Sequence, residues 1–293
     1  MQRLLVASNR LTKSSVLPFV SSRTAPRCEI EWRSGSARED YLRRMPVKTE
    51  RHGGVLVVQL DRDEKRNAID GEMTESISAA LDVGEDDPAV RAIVIAGGPT
   101  VFCAGTDIAE GSGTPTSRGG EYGIIRRRST TPIIAAVEGS AFGGGFEIAL
   151  ACHLIVASST ATFGLPEVRR GLVATSAGLF RVPRAMPLNM AREMLLTGDP
   201  VSAQRLADLG VVNRVVEPGM AIAEAITLAE RIEHNAPTSI RATLNALDTI
   251  AKDDDAVGWA ATEAALHTIL TSEDREEGLA AFFERRPPEW PGR

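Results

Sequence analysis

Aromatic residues are scarce in this chain: 4% of 293 residues, with two tyrosines and three tryptophans. Its core must therefore be packed mainly by aliphatic side chains. Cysteines number three, Cys28, Cys103 and Cys152. Their spacing fits neither a metal-ligand motif nor a disulfide framework. Cys103 and Cys152 lie in apolar stretches and read as buried thiols, which suits a reducing compartment. The four histidines, at 52, 153, 234 and 267, are too scattered to support a His-based metal site or triad. His153 reads as packed rather than catalytic. No apolar run approaches the length of a membrane span. Excess positive charge is also missing. The net charge of −6 argues against nucleic acid as the main partner, but leaves a small anionic ligand open. No internal repeat of fixed period is evident.

What remains is an ordinary globular composition, 43% apolar and 25% charged. The length suits one large domain or two small ones. Charge is uneven, however. Residues 1–44 hold nine Lys/Arg against four Asp/Glu, are rich in serine and lack a steady hydrophobic period. Two readings fit: a basic, Ser-rich organelle transit peptide, or an upstream extension of a protein that starts at Met45. The second is favoured, because Met45-Pro-Val-Lys-Thr-Glu-Arg-His-Gly-Gly54 is a natural run-in to a first strand. Either way, 1–44 is expected to be poorly ordered and outside the fold. The second reading goes with a cytoplasmic protein, the first with a mitochondrial one.

From residue 54 onward, β-branched runs alternate with helical periods. Strands are expected at 55–60, 90–96, 131–137 and 154–157, with extended pieces at 101–105 and 160–167. A helix is expected at 70–83, with Asp70 as N-cap, another at 121–129, and a third from Phe146. The loop 111–120 is polar and glycine-rich, a candidate lid or pocket rim. Beyond 187 the periods are helical, at 191–196, 203–209, 220–233, 238–251 and 261–270, interrupted by an extended piece at 211–216. The expectation is an α/β core over 45–200 followed by a helical region over 201–293.

The chain is organised around Val137-Glu-Gly-Ser-Ala-Phe-Gly-Gly-Gly-Phe-Glu147. A strand runs into three glycines and then a helix start with an acid in its first turn. Glycine lets backbone approach a ligand closely, and amides at a helix N-terminus favour an oxyanion. A second corner, Ala104-Gly-Thr-Asp107, also follows a strand. In layered α/β folds strand C-termini converge on one edge, so two amides from two corners could hold one carbonyl oxygen. Two acids stand near such turns: Glu147, and Glu167 after Phe163-Gly-Leu-Pro. In one pocket, like charge and desolvation would raise a pKa, leaving one carboxyl as acid and the other to orient a water as base. The plainer reading is a structural glycine turn, with Glu147 complementing a helix dipole and Glu167 on the surface.

Val101-Phe-Cys-Ala-Gly-Thr-Asp-Ile-Ala-Glu110, Ala136-Val-Glu-Gly-Ser-Ala-Phe-Gly-Gly-Gly-Phe-Glu-Ile-Ala149 and Ala161-Thr-Phe-Gly-Leu-Pro-Glu167 together resemble the enoyl-CoA hydratase/isomerase (crotonase) superfamily. So do Leu196-Thr-Gly-Asp-Pro-Val-Ser-Ala203, Gly210-Val-Val-Asn-Arg-Val-Val216 and Glu277-Gly-Leu-Ala-Ala-Phe-Phe-Glu-Arg-Arg-Pro287. The resemblance spans about residues 50–290 in order and spacing. It implies an α/β crotonase (ClpP-like) fold of repeated ββα units, with a helical C-terminal trimerisation region. It also implies an acyl-CoA thioester substrate, coenzyme A being part of that substrate, with no other cofactor, metal, nucleic acid or membrane involved.

The family's oxyanion-hole amides fall on Thr106 and Gly144. Ala104, Thr106, Asp107, Ile108 and Ala109 fall along the pantetheine and thioester path. Lys65, Arg66 and Ala68 fall where the nucleotide is contacted, and Phe283 and Arg285 where the C-terminus adds to the CoA site. Both acids of the two-glutamate hydratases are matched, by Glu147 and Glu167. The implied reaction is syn hydration of a trans-2-enoyl-CoA, as in fatty-acid β-oxidation, by a homotrimer or a dimer of trimers. The alternatives are an enoyl-CoA isomerase, a carnitinyl-CoA-type dehydratase or a C–C lyase of the same superfamily, and a non-catalytic CoA-binding protein. One departure matters. Thr175 and Ser176 bring hydroxyls where the family usually has glycine and alanine, either to cap the next helix or to reshape the acyl site.

Overall fold

The structure, a computed structural model, describes residues 46–292. The expected disorder of 1–44 therefore falls outside the described residues. Ten strands form two sheets among these residues. The larger takes in β1 (Val47–His52), β2 (Val55–Leu60), β3 (Ala92–Ala96), β5 (Ile133–Val137), β7 (Leu154–Ser158) and β10 (Arg214–Val216), in the order β1-β2-β3-β5-β7-β10. The smaller runs β4 (Val101–Cys103), β6 (Ser140–Phe142), β8 (Thr162–Gly164) and β9 (Val201–Ser202). β1 pairs antiparallel with β2 across the Gly53-Gly54 turn, so the expected run-in is itself a strand. From β2 to β10 the large sheet is parallel.

The central strands show why. Ala92-Ile-Val-Ile-Ala96 and Ile133-Ile-Ala-Ala-Val137 are buried at every position, as expected of a parallel sheet covered on both faces. Alternate residues split between two clusters. Val55, Val57, Val94, Ile134 and Val156 meet Ala225 and Ala229 of α6 (Ala221–Glu233). Val58, Ile93, Ile95, Ile133 and Val137 share the larger cluster with Met73, Ile77 and Leu81 of α1 (Gly71–Asp86). Alanines on α6 bring that helix close to the sheet. Each fully buried Ile or Leu adds about 1.5–3 kcal/mol over an exposed one. Helix α1 starts at the expected cap: the Asp70 carboxylate accepts the Met73 amide at 2.8 Å.

Successive strands are dealt alternately to the two sheets: β3 then β4, β5 then β6, β7 then β8. Within the small sheet β4, β6 and β8 are parallel neighbours. Their C-terminal ends lie side by side, leading into Ala104-Gly-Thr106, Gly143-Gly144 and Leu165-Pro-Glu167.

Three expectations need correction. No helix spans 121–129. There is a 3-10 turn at Glu121–Gly123, and the left-handed backbone of Tyr122 (φ 53°) and Gly123 (φ 75°) stops helical propagation. The helix expected from Phe146 begins two residues earlier, as α2 (Gly144–Ala151), after Gly143 at φ 54°. The helical periods at 238–251 and 261–270 are one 34-residue helix, α7 (Pro237–Leu270). The stretch between them carries no proline, so no backbone donor is lost from the helix. Gly258 sits inside α7 against the Phe180 ring, where a Cβ would come within 2.5 Å. Shorter helices complete the chain: α3 (Gly178–Ala185), α4 (Leu188–Thr197), α5 (Ala203–Asp208) and α8 (Glu273–Glu284). No helix among the described residues is long and apolar enough to cross a membrane.

Candidate active site

The three strand ends open into a cavity of about 770 Å³. Gly143, at φ 54°, caps α2 in a backbone region closed to most side chains. It turns the chain so that the Gly144 amide, first in its helix and without an intrahelical acceptor, faces the β4 corner. The corners are adjacent: a Cβ on Gly105 would stand 3.1 Å from the Gly144 nitrogen. Residue 105 is itself anchored, its carbonyl accepting the Ile69 amide at 2.8 Å while Asp107 donates back to Ile69 at 2.9 Å. That bridge leaves the Thr106 amide pointing away from Ile69. Among the described residues no protein acceptor takes the Thr106 or the Gly144 amide. Two convergent, unspent N–H groups are what a developing oxyanion needs.

The two acids meet at the same corner. Glu147, in the first turn of α2, is 2% exposed, and its Oε1 accepts the Gly178 amide at 2.8 Å. Glu167 comes from the 3-10 turn Pro166–Arg170 after β8. Its Oε1 lies near Gly143, within 3.2 Å of where a Cβ there would stand. Its Oε2 is sealed from solvent with no hydrogen-bond partner among the described residues.

Burial pushes the Glu147 pKa well above the ordinary carboxylate range, and the neighbouring Glu167 charge adds to it. The Gly178 and Ser176 amides and Arg181 pull the other way without cancelling the effect. Burial raises Glu167 as well, against its own amide and Arg170. Two carboxyls so placed resist ionising together, so both titrate above the ordinary carboxylate range.

The other positions expected at the site also reach the cavity. Lys65, Arg66, Ala68, Ala104, Thr106, Asp107, Ile108, Ala109, Gly144 and Phe283 all line it. Arg285 does not. It is the C-cap of α8 at φ 57°, where the chain turns out of the helix. Asp107 lines the cavity, but its carboxylate is committed elsewhere. Burial disfavours its charge, yet the Arg62 guanidinium at 3.1 Å and the Ala109 and Glu110 amides outweigh that and hold its pKa low. The 111–120 loop reaches the rim through Gly111 and Ser112. Thr175 and Ser176 do not cap α3, whose N-cap is Ala177 without a side-chain bond. Both line the cavity instead.

Sequence reasoning missed Tyr122, Arg170, Leu172 and a wall made by Leu266, Ile269, Leu270, Arg275, Leu279 and Phe282. Helices α7 and α8 bring that wall from a hundred residues away. The packing is tight: a Cβ on Gly278 of α8 would sit 2.3 Å from the Arg170 carbonyl oxygen. Arg170 also stacks 5.3 Å over the Phe282 ring. The doublet Arg169-Arg170 beside Glu167, and a tyrosine in a chain with only two, were the available signals. Among the described residues no group of three or more His, Cys, Asp or Glu is arranged to hold a metal ion.

The enoyl-CoA hydratase/isomerase family matches residues 50–293. The chain belongs to that family. Its fold is accordingly the crotonase fold. Mevalonyl-coenzyme A hydratase sidH of Aspergillus fumigatus is 37% identical over 253 residues, 80% of this chain and 91% of that protein. The (E)-benzylidenesuccinyl-CoA hydratase of Thauera aromatica is 39% identical over 257 residues, 85% of this chain and 100% of that protein. Among solved structures, a carnitinyl-CoA hydratase from Mycobacterium avium matches with a TM-score of 0.80 at 37% identity, covering 85% of this chain and 100% of its own.

Proposed function

We propose that this protein catalyses reversible syn addition of water to a trans-2-enoyl-CoA, as a two-glutamate hydratase. That it is an enzyme of the hydro-lyase kind follows from its family and from relatives named as hydratases of CoA thioesters. The specific reaction rests on one observation: Glu147, buried, and Glu167, half-buried with one carboxylate oxygen sealed, converge beside two unspent amides.

In this reading the thioester oxygen accepts hydrogen bonds from the Thr106 and Gly144 amides, which strengthen as negative charge moves onto it. One water is held between the carboxyls. Glu147 takes its proton as the oxygen attacks Cβ, and Glu167 delivers a proton to Cα of the enolate. The scheme starts with Glu147 ionised and Glu167 protonated, and no metal or redox cofactor enters it. Lys65, Arg66 and Arg170 would meet the CoA phosphates, with Phe283 nearby for the base.

The deciding experiment follows loss of the 2-enoyl thioester absorbance with crotonyl-CoA. Wild type should consume it, and Glu147→Gln should lower kcat by about 10²–10⁴-fold. Substrate loss that persists in this variant, or a shifted double bond in place of a 3-hydroxy product, would refute the hydratase assignment in favour of an isomerase.

Self-association as a homotrimer, or a pair of trimers, belongs to the same proposal. Helix α7 leaves Leu247, Ile250 and Val257 exposed at 57%, 78% and 72%. Their spacing puts them on one helix face, an apolar stripe that a second copy would cover. Ile250→Asp should lower the mass seen by light scattering, and an unchanged oligomer would remove this face from the interface.

A further inference from the structure

Tyr122 carries chemistry that the hydration scheme does not use. It is 5% exposed and sits at φ 53°, a backbone region few non-glycine residues occupy. Its ring lies on the oxyanion corner: a Cβ on Gly144 would meet its Cζ at 2.6 Å and its hydroxyl at 2.7 Å. The same hydroxyl is 2.7 Å from Thr106 Oγ1, and the Ser176 hydroxyl is its other polar neighbour. It therefore stands between the two residues whose amides would hold the thioester oxygen.

Three hydroxyls carry three protons. The Thr106–Tyr122 hydrogen bond uses one. All three residues line the cavity, so O–H donors and lone pairs remain there for a ligand. Packing alone would be met as well by phenylalanine. Burial, with Glu147 adding to it, holds the Tyr122 proton firmly, so the phenol stays a neutral donor. The nearby carboxyls oppose an anionic substituent there.

We infer that Tyr122, Ser176 and Thr106 form a hydroxyl pocket selecting 2-enoyl-CoA thioesters that carry a neutral oxygen, such as a hydroxyl on C4 or C5, over plain alkyl chains. This rests on the hydratase reading and narrows its substrate class.

The test compares crotonyl-CoA with trans-4-hydroxy- and trans-5-hydroxy-2-enoyl-CoA in wild type, Tyr122→Phe and Ser176→Ala. In wild type the ratio of kcat/KM, best hydroxylated substrate over crotonyl-CoA, should exceed about fivefold. Tyr122→Phe should reduce that ratio by about tenfold, as expected for loss of one hydrogen bond to a bound hydroxyl, with Ser176→Ala in the same direction. A wild-type ratio at or below one, or a ratio within twofold of wild type in both variants, overturns the inference. If neither thioester is hydrated, the hydratase reading fails. The same ratio taken from dissociation constants by calorimetry then still decides whether the pocket recognises the hydroxyl.

Discussion

The central sheet and the cavity at the edge of the small sheet follow opposite rules. In β3 and β5 every residue is buried and the backbone is paired on both sides. At the strand ends, 104–106, 143–144 and 165–167, two amides lack protein acceptors and a sealed carboxylate oxygen lacks a partner. Buried polar groups are normally satisfied, because leaving one unpaired costs about 1–3 kcal/mol. Three unpaired groups, the Thr106 and Gly144 amides and Glu167 Oε2, meet at this edge, while among the described residues Glu85 Oε1 and Arg181 Nη1 are unpaired away from it.

Substitutions on either side should separate the two roles. The largest effect is expected at the corner. Glu167→Gln should cut kcat by about 10²–10⁴-fold with little loss of stability, measured by crotonyl-CoA turnover beside a denaturant melt; a change of only a few-fold would sink the assignment of proton delivery. In the core the pattern reverses. Leu81 is fully buried on α1, and Leu81→Ala should cost about 2–5 kcal/mol in urea unfolding while folded protein keeps its specific activity. Activity falling in step with stability would deny that the two regions are separable.

A third effect depends on pH. The folded pKa of the carboxyl pair is raised by burial. Native protein thus keeps a proton that the unfolded chain releases above the ordinary carboxylate range. Stability contributed by that proton is full at low pH and is lost as pH rises through the window toward the raised values. Glu147→Gln removes much of this dependence, so its melting temperature should gain on wild type between pH 5 and pH 8.5. A gap that stays constant would mean the pair is not shifted. Wild-type activity should fall over the upper part of that window as the shared proton leaves. The smallest effect lies at a helix end remote from both rules. Asp70→Ala should cost about 1 kcal/mol through loss of the α1 cap, and chemical unfolding against Asp70→Asn would read it, since asparagine can still cap.

The corners were legible because they are local. Three glycines after a strand, or an acid three residues past one of them, need only backbone geometry to be read. Glu147 and Glu167 were placed together by motif and spacing, and burial then made them partners. Tyr122 was not legible. Its segment reads as a helix, and only packing against α1 and Gly144 forces the left-handed turn that aims its hydroxyl at the site. Arg285, expected beside the CoA site, ends α8 as its C-cap and does not line the cavity of this chain.

By itself, the sequence determined the strand–glycine–helix corners, the aliphatic alternation that buries β3 and β5, and the two acids available for chemistry, because each depends on neighbours within a few residues. Tertiary structure alone decided the rest. It dealt successive strands to two sheets so that three ends meet. It folded α7 and α8 back to wall the cavity, and it desolvated the carboxyls enough to raise their pKa. Those outcomes come from burial against residues far along the chain, and desolvation is a property of the packed whole.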